Sequence, residues 1–325
     1  MKTDALYITK EHTTEIRQVE ILPPKCGEVQ IEVVACGVCA WDVYLFKGRD
    51  LRQPFPFPFG HEAVGIIQEV GEGVTKFAKG DKVFCIDGGP SMAQVINMKE
   101  EMVGMLPGDP VTNEDFAYLI GEPSVCVVNG LSNINVNPGD NVAVIGTGYM
   151  GLLNVQAYHH SHIGKMICFD VDEEKLKLAK KYGADECYLI GTEAAEKAIR
   201  EIINQGGLNI VVECSGSQPG LELAVKLTAP GGVISNFAWH RENRTLDASC
   251  WHLNGLRIVN TAPACDRHFA DHVLQTQRLM ERGVFEQKEL ITHIMDYHEI
   301  QKMLTVAEMK SEGYVKGVIT FRRNV

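Results

Sequence analysis

A chain of 325 residues exceeds what one ordinary hydrophobic core holds and implies two domains, one of which can be assembled from discontinuous segments. An apolar content of 45% with 22% charged residues is that of a soluble globular protein, and a net charge of −11 argues against nucleic acid or an anionic membrane as main partner, since both call for a basic face. No apolar run approaches bilayer-spanning length, Met1 to Lys10 lacks the apolar centre of a signal peptide, and ten scattered cysteines fit a reducing compartment, so a cytoplasmic location is expected.

From Lys2 to about Val34 the chain alternates in short runs broken at Pro23–Pro24 and Cys26–Gly27, and Gln30 to Val34 reads as a strand. Cys36–Gly37–Val38–Cys39 then leads into a short helix through Phe46. Gly60–His61–Glu62–Ala63–Val64–Gly65 precedes hairpin signals: Ile66 to Val70, the turn Gly71–Glu72–Gly73, and Gly80–Asp81 before a strand from Lys82 to Ile86. Ala93 to Asn97 is a further strand, and Glu114 to Ile120 begins a helical pattern. This first region is β-rich.

Pro138–Gly139–Asp140 turns the chain into a different regime. Asn141 to Ile145 is an apolar strand that runs into Gly146–Thr147–Gly148–Tyr149–Met150–Gly151, which opens a helix. Beyond it, strands (165–169, 186–190, 209–213, 232–237, 256–260) alternate with helices (173–182, 193–204, 221–227). That alternation predicts a doubly wound parallel sheet covered on both faces. Ala270 to Arg282 and Glu299 to Met309 are amphipathic helices, and Tyr314 to Phe321 is a closing strand.

The glycine-rich turn has the chemistry of a dinucleotide site. Gly146 permits the tight strand-to-helix turn, Gly148 lets the backbone approach a pyrophosphate, and Gly151 allows close helix–strand packing. The N–H groups of the helix that starts at Tyr149 and Met150 face the phosphates with the positive end of its dipole. Asp170, nineteen positions after Gly151, suits the adenosine ribose hydroxyls, and its charge favours NAD over NADP. Cys214, in Glu213–Cys214–Ser215–Gly216 at a strand's carboxyl end, falls where cofactors lie in such folds.

A second constellation comprises Cys39, His61, Glu62 and Glu122, each beside a glycine, a proline or a turn. Thiolate, imidazole and carboxylate together suit a tetrahedral zinc ion with one position left for substrate or water. His159, His160 and His162 also cluster, but adjacent histidines on a helix point to different faces, and they read as a helix end.

At this point the chain resembles the zinc-dependent medium-chain dehydrogenases/reductases, the alcohol dehydrogenase superfamily, and most nearly their sorbitol-type polyol branch. The residues that carry the resemblance are Gly37–Val38–Cys39–Ala40–Trp41–Asp42, Gly60 to Gly65, Gly80–Asp81–Lys82–Val83, Glu122–Pro123–Ser124–Val125, the Gly146–Gly148–Gly151 turn, and Asp170 with Lys175. The resemblance implies a GroES-like zinc domain from residues 1–128 and 263–325 and a Rossmann domain from 129–262 inserted between them. It implies that Cys39 and His61 ligate zinc, that Glu62 is a ligand or a switching carboxylate, and that Glu122 binds directly or through water. Asp42 would hold His61 in one tautomer, and Lys175 would join Asp170 at the cofactor. Cys36 reads as strand packing, because a redox dithiol needs a thioredoxin-like setting.

Two departures from the family pattern matter. A Ser or Thr that relays the substrate proton is replaced by Trp41, which leaves Tyr44 and His240 as candidates to exchange it. The lobe that usually holds a structural zinc is reduced to Cys85 and the turn Asp87–Gly88–Gly89–Pro90, so a single catalytic zinc is expected. The resemblance implies hydride transfer between NAD and a small alcohol or its ketone, a polyol or sugar derivative, by a homodimer or homotetramer. Two other readings attach to the same fold. A zinc-free NADPH-dependent quinone or enone reductase conflicts with Asp170 and the four metal-type donors, and a non-catalytic NAD-binding protein is hinted at by Trp41 alone.

Overall fold

The computed structural model describes residues 1–49, 54–86, 90–261, 269–311 and 313–321. Its contacts divide into two units, Met1–Val125 with Ala270–Val325, and Cys126–Phe269. The expected join at 262/263 and most of the Asp87–Gly88–Gly89–Pro90 turn lie outside the described residues.

The first unit begins with strands β1 (Lys2–Lys10) and β2 (Thr13–Glu20), an antiparallel hairpin with Leu6 opposite Ile16. It continues through β3 (Glu28–Val38), helix α1 (Ala40–Phe46), β4 (Phe57–Pro58), β5 (Glu62–Val70), β6 (Lys82–Cys85), β7 (Val95–Lys99), β8 (Val103–Met105) and the short helix α2 (Asn113–Ala117). Helix α3 (Glu122–Ser132) carries the chain across the dividing point.

The second unit follows as β9 (Asn141–Ile145), α4 (Tyr149–His159), β10 (Lys165–Asp170), α5 (Glu173–Lys181), β11 (Glu186–Leu189), α6 (Glu193–Asn204) and β12 (Leu208–Glu213). It closes with α7 (Gln218–Leu227), β13 (Thr228–Asn236), α8 (Ala248–Leu253) and β14 (Arg257–Asn260). Helix α9 (Phe269–Glu281), β15 (Ile291–Asp296), α10 (Ile300–Met309) and β16 (Lys316–Thr320) return to the first unit.

Strand β3 is the spine of the first unit. Its first half pairs with β7 and its second half with β16, while β5 lies along its whole length on the other edge. The sheet order is β15-β16-β3-β5-β6-β8, and β1, β2 and β4 form a separate three-stranded sheet. Ile31, Val33, Ile67, Val83, Met303, Leu304 and Ile319 belong to one buried core, so apolar residues from both chain ends stabilise a single unit.

The second unit is the doubly wound sheet, in the order β11-β10-β9-β12-β13-β14 with every pairing parallel. Strand order reverses between β9 and β12, and the crevice at the carboxyl ends of strands at such a switch point is where ligands bind. Val142, Ala143 and Val144 are fully buried, as expected of a strand covered on both faces.

Several elements lie outside the sequence expectations, the two-residue strand β4 among them. Edge strand β15 is mostly half-buried and has no clean period; β8 has three residues; α8 is one short turn-and-a-half. Helix α3 carries Pro123 in its first turn, where a proline sacrifices no helical hydrogen bond.

Candidate metal centre and dinucleotide site

The metal-type donors gather at the carboxyl end of β3 and the start of β5. Cys39 is the N-cap of α1, and Asp42, three residues on and fully buried, accepts the Cys39 N–H at 2.7 Å. The helix start therefore fixes Cys39 and Asp42 together. Asp42 Oδ1 points towards His61 Nδ1 at 3.8 Å, longer than a hydrogen bond, and it has no hydrogen-bond partner. This orientation leaves His61 Nε2 available to a ligand.

Glu62 opens β5 opposite Gly37 of β3. A Cβ on Gly37 would stand 1.9 Å from Glu62 Oε2, so only glycine leaves room for the carboxylate. Lys316, the first residue of β16 and itself buried, donates to Glu62 Oε1 at 2.8 Å and approaches Oε2 at 2.5 Å. Sequence reading missed Lys316; the signal available was a lysine facing inward at the head of an otherwise apolar strand.

Cys39, His61 and Glu62 are, among the described residues, the group of three metal-type donors whose ligand atoms all lie within 4.8 Å of one another. Glu122, at the start of α3, is not in that group, but its charge acts on His61. Burial works against a charged His61, yet Cys39, Asp42 and Glu122 together raise its pKa well above the ordinary histidine value. Burial raises Asp42, and burial followed by the Asp42 and Glu62 charges raises the Cys36 thiol. Cys36 thus stays a neutral core side chain.

Lysine 316 is raised too, because Glu62 and Cys39 outweigh the cost of burying its ammonium. A thiol and three carboxylates thus share a largely buried space with one ammonium and one imidazole. The thiolate, imidazole and carboxylate of this donor set fit zinc.

Two aromatic residues of α1 follow Cys39 closely in the chain. Trp41 and Tyr44 stack with ring centroids 5.8 Å apart and planes at 23°. His240 belongs to the second unit, where Arg244 Nε donates to its Nδ1 at 3.1 Å and Glu213 Oε2 faces its Nε2 at 2.9 Å. Its Nδ1 is therefore hydrogen-bonded, whereas its buried Nε2 lies close to a carboxylate without a hydrogen bond.

The glycine turn of the second unit has the shape its sequence predicts. Gly146 has φ +88°, and a Cβ there would meet the Ser215 N–H nitrogen at 2.7 Å; a Cβ on Gly151 would meet the Gly146 carbonyl oxygen at 1.9 Å. Nothing lies within 4 Å of the corresponding position on Gly148, so an open cradle stands above the backbone. Helix α4 begins at Tyr149 with Gly148 as N-cap and no side-chain cap, which leaves the N–H groups around Tyr149 and Met150 for an anion. These features fit a pyrophosphate.

Asp170 ends β10 and its carboxylate is held by the protein. Oδ2 accepts the Thr147 N–H at 2.5 Å and its hydroxyl at 3.0 Å, and Oδ1 accepts the Asp172 N–H at 3.0 Å. The Lys175 ammonium pairs with Asp172 at 3.1 Å. Cys214 lies against this turn, its Cβ 3.6 Å from where a Gly151 Cβ would be, and burial first, then Glu213, raises its thiol pKa well above the usual value.

Comparison with known proteins agrees with both halves. Residues 25–109 match the family described as alcohol dehydrogenase GroES-like domain, and residues 150–275 match the zinc-binding dehydrogenase family. An S-(hydroxymethyl)glutathione dehydrogenase of Escherichia coli O1:K1 / APEC is 30% identical over 254 residues, which cover 62% of this chain and 68% of that protein. The crystal structure of an Escherichia coli oxidoreductase/dehydrogenase of unknown specificity superposes with a TM-score of 0.89 at 23% identity, covering 99% of this chain and 100% of that one. The alcohol dehydrogenase rspB from Escherichia coli CFT073, complexed with NADH, gives a TM-score of 0.84 at 21% identity over 98% and 99% of the two chains. Galactitol-1-phosphate dehydrogenase from Escherichia coli gives 0.83 at 19% identity over 98% and 100%.

Proposed function

Because the chain belongs to the alcohol dehydrogenase family of medium-chain dehydrogenases/reductases, we propose that it interconverts a secondary alcohol and its ketone with NAD and one catalytic zinc ion. The observation that carries this reading is the compact donor set of Cys39, His61 and Glu62. When bound, zinc supplies a Lewis acid for the substrate oxygen and the nicotinamide supplies the hydride acceptor.

The chain's residues do the rest. Cys39, His61 and Glu62 hold the metal, with Glu122 as a further donor directly or through water. Asp42 orients His61, and Lys316 holds the Glu62 carboxylate, which would ligate the metal when it is bound. The Gly146–Gly148–Gly151 turn and the start of α4 hold the pyrophosphate, and Asp170 takes the ribose and disfavours a 2′-phosphate. Tyr44 exchanges the substrate proton, since the indole of Trp41 donates but cannot accept one.

The Glu122–Pro123 pair and its resemblance to the polyol branch favour a polyol, sugar or sugar derivative as substrate. By the same resemblance the enzyme works in the cytoplasm as a dimer or tetramer of identical chains. Metal analysis of purified protein, joined to NADH formation with a panel of sugar alcohols, tests the reading. About one zinc per chain and turnover of a secondary alcohol are expected; protein that binds no zinc when supplied with it rules the mechanism out.

A further inference from the structure

The turn that faces the phosphates and the acid that faces the ribose are joined through one buried hydroxyl. Thr147 sits between Gly146 and Gly148 with no exposed surface, and Asp170 is 9% exposed. The Thr147 N–H and Oγ1 both reach Asp170 Oδ2, at 2.5 and 3.0 Å, and the Asp172 N–H takes Oδ1 at 3.0 Å. The Gly146 N–H also donates to the Phe169 carbonyl at 2.8 Å, so the turn and the end of β10 are pinned at two successive residues.

We propose that Thr147 is a specificity-determining positioning residue, whose hydroxyl locks the Asp170 carboxylate in the one orientation that accepts a ribose hydroxyl and repels a 2′-phosphate. The proposal rests on NAD binding at Asp170. A carboxylate accepts at about four sites; three are taken by Thr147 and Asp172. The remaining one, on Oδ1, is what the cofactor can use.

Without the Thr147 hydroxyl the carboxylate keeps two backbone donors but loses the side-chain one. One backbone donor on each oxygen still sets its plane, but Oδ2 loses a partner and the group is held less firmly. A less firmly held carboxylate offers the ribose a poorer acceptor and repels a 2′-phosphate less. Both changes act on cofactor choice, whereas a purely structural role for Thr147 would weaken both cofactors alike.

The test is fluorescence titration of the zinc-loaded protein with NADH and with NADPH. Thr147→Val is expected to weaken NADH binding on the order of 10-fold, in line with loss of a hydrogen bond to a charged group, and to change NADPH binding by less than about 2-fold. Thr147→Ser, which keeps the hydroxyl, is expected to preserve the wild-type preference. Asp170→Ala is expected to narrow the preference by itself, and adding Thr147→Val to it is expected to narrow it no further.

If Asp170→Ala narrows the preference but Thr147→Val leaves it at the wild-type value, the role of Thr147 is overturned while the cofactor reading stands. If Asp170→Ala also leaves it unchanged, the cofactor reading fails and the proposal fails with it. Thr147→Ala, which also lacks the hydroxyl, carries the same expectation and replaces Thr147→Val if that variant does not fold.

Discussion

Trp41 decides which side chain of α1 can move a proton. Its indole nitrogen donates only, so the proposed proton exchange is assigned to a neighbour on the same helix with a hydroxyl, Tyr44, whose ring stacks on it. Tyr44→Phe is expected to lower kcat about 100-fold, the lower end for loss of general acid–base help, without changing zinc content. Equal loss of zinc and activity would instead mean that Tyr44 supports the fold of the site. Cys39→Ser replaces a soft thiolate by a poor zinc ligand and is expected to abolish metal binding and turnover together; atomic absorption on the purified variant checks the first, an NADH assay the second. Cys39, His61 and Glu62 were legible in the sequence because their chemistry is local to short motifs. Lys316 was not, because its partner lies 254 positions away and only the pairing of β16 with β3 brings it near.

Elements place these side chains by contacts that the sequence pattern does not display. Glu122 opens α3 directly after Gly121, where a Cβ would stand 2.3 Å from the Phe84 ring of β6, and Gln287 donates to the Ile120 carbonyl at 2.8 Å. Gly121→Ala therefore forces a buried aromatic or the helix start to move. It is expected to cost about 1–3 kcal/mol in urea unfolding and to weaken zinc binding through displacement of Glu122. Helix α5 shows a different dependence. Asp172 caps it, accepting the N–H groups of Glu174 and Lys175 at 3.0 and 3.4 Å. Partial burial opposes the Asp172 charge, but Lys175 and these N–H groups outweigh it and hold the carboxyl below its ordinary pKa. A depressed native pKa adds stability above the unfolded value near 3.9 and loses it as pH falls through the native value. Asp172→Ala is thus expected to cost about 1 kcal/mol at neutral pH, with the gap to wild type closing below about pH 4. Helices α5 and α6 were readable from their alternation with strands, whereas β15, an edge strand with mixed polarity, is recognised from its partner β16.

At the scale of the molecule, metal donors and dinucleotide residues belong to different units. Chelation of zinc is expected to abolish turnover and to leave the dissociation constant for NADH within about 2-fold, because no proposed cofactor contact lies in the metal-bearing unit; fluorescence titration before and after dialysis against a chelator decides it. Bound zinc is also expected to stabilise its own unit, by about 2.7 kcal/mol at 100 times its dissociation constant.

The interleaving of the units has a further consequence for how the chain comes into being. Translation delivers the strands of the dinucleotide unit as one uninterrupted block that ends by Phe269, with each strand pairing to neighbours already made or soon to follow. The sheet that carries Cys39 waits for β16, which is made after that whole block, before the second half of β3 has its β16 partner and Glu62 its ammonium. Domains fold largely as units during synthesis. The unit encoded between the two segments is therefore expected to complete its sheet before the unit that encloses it in sequence.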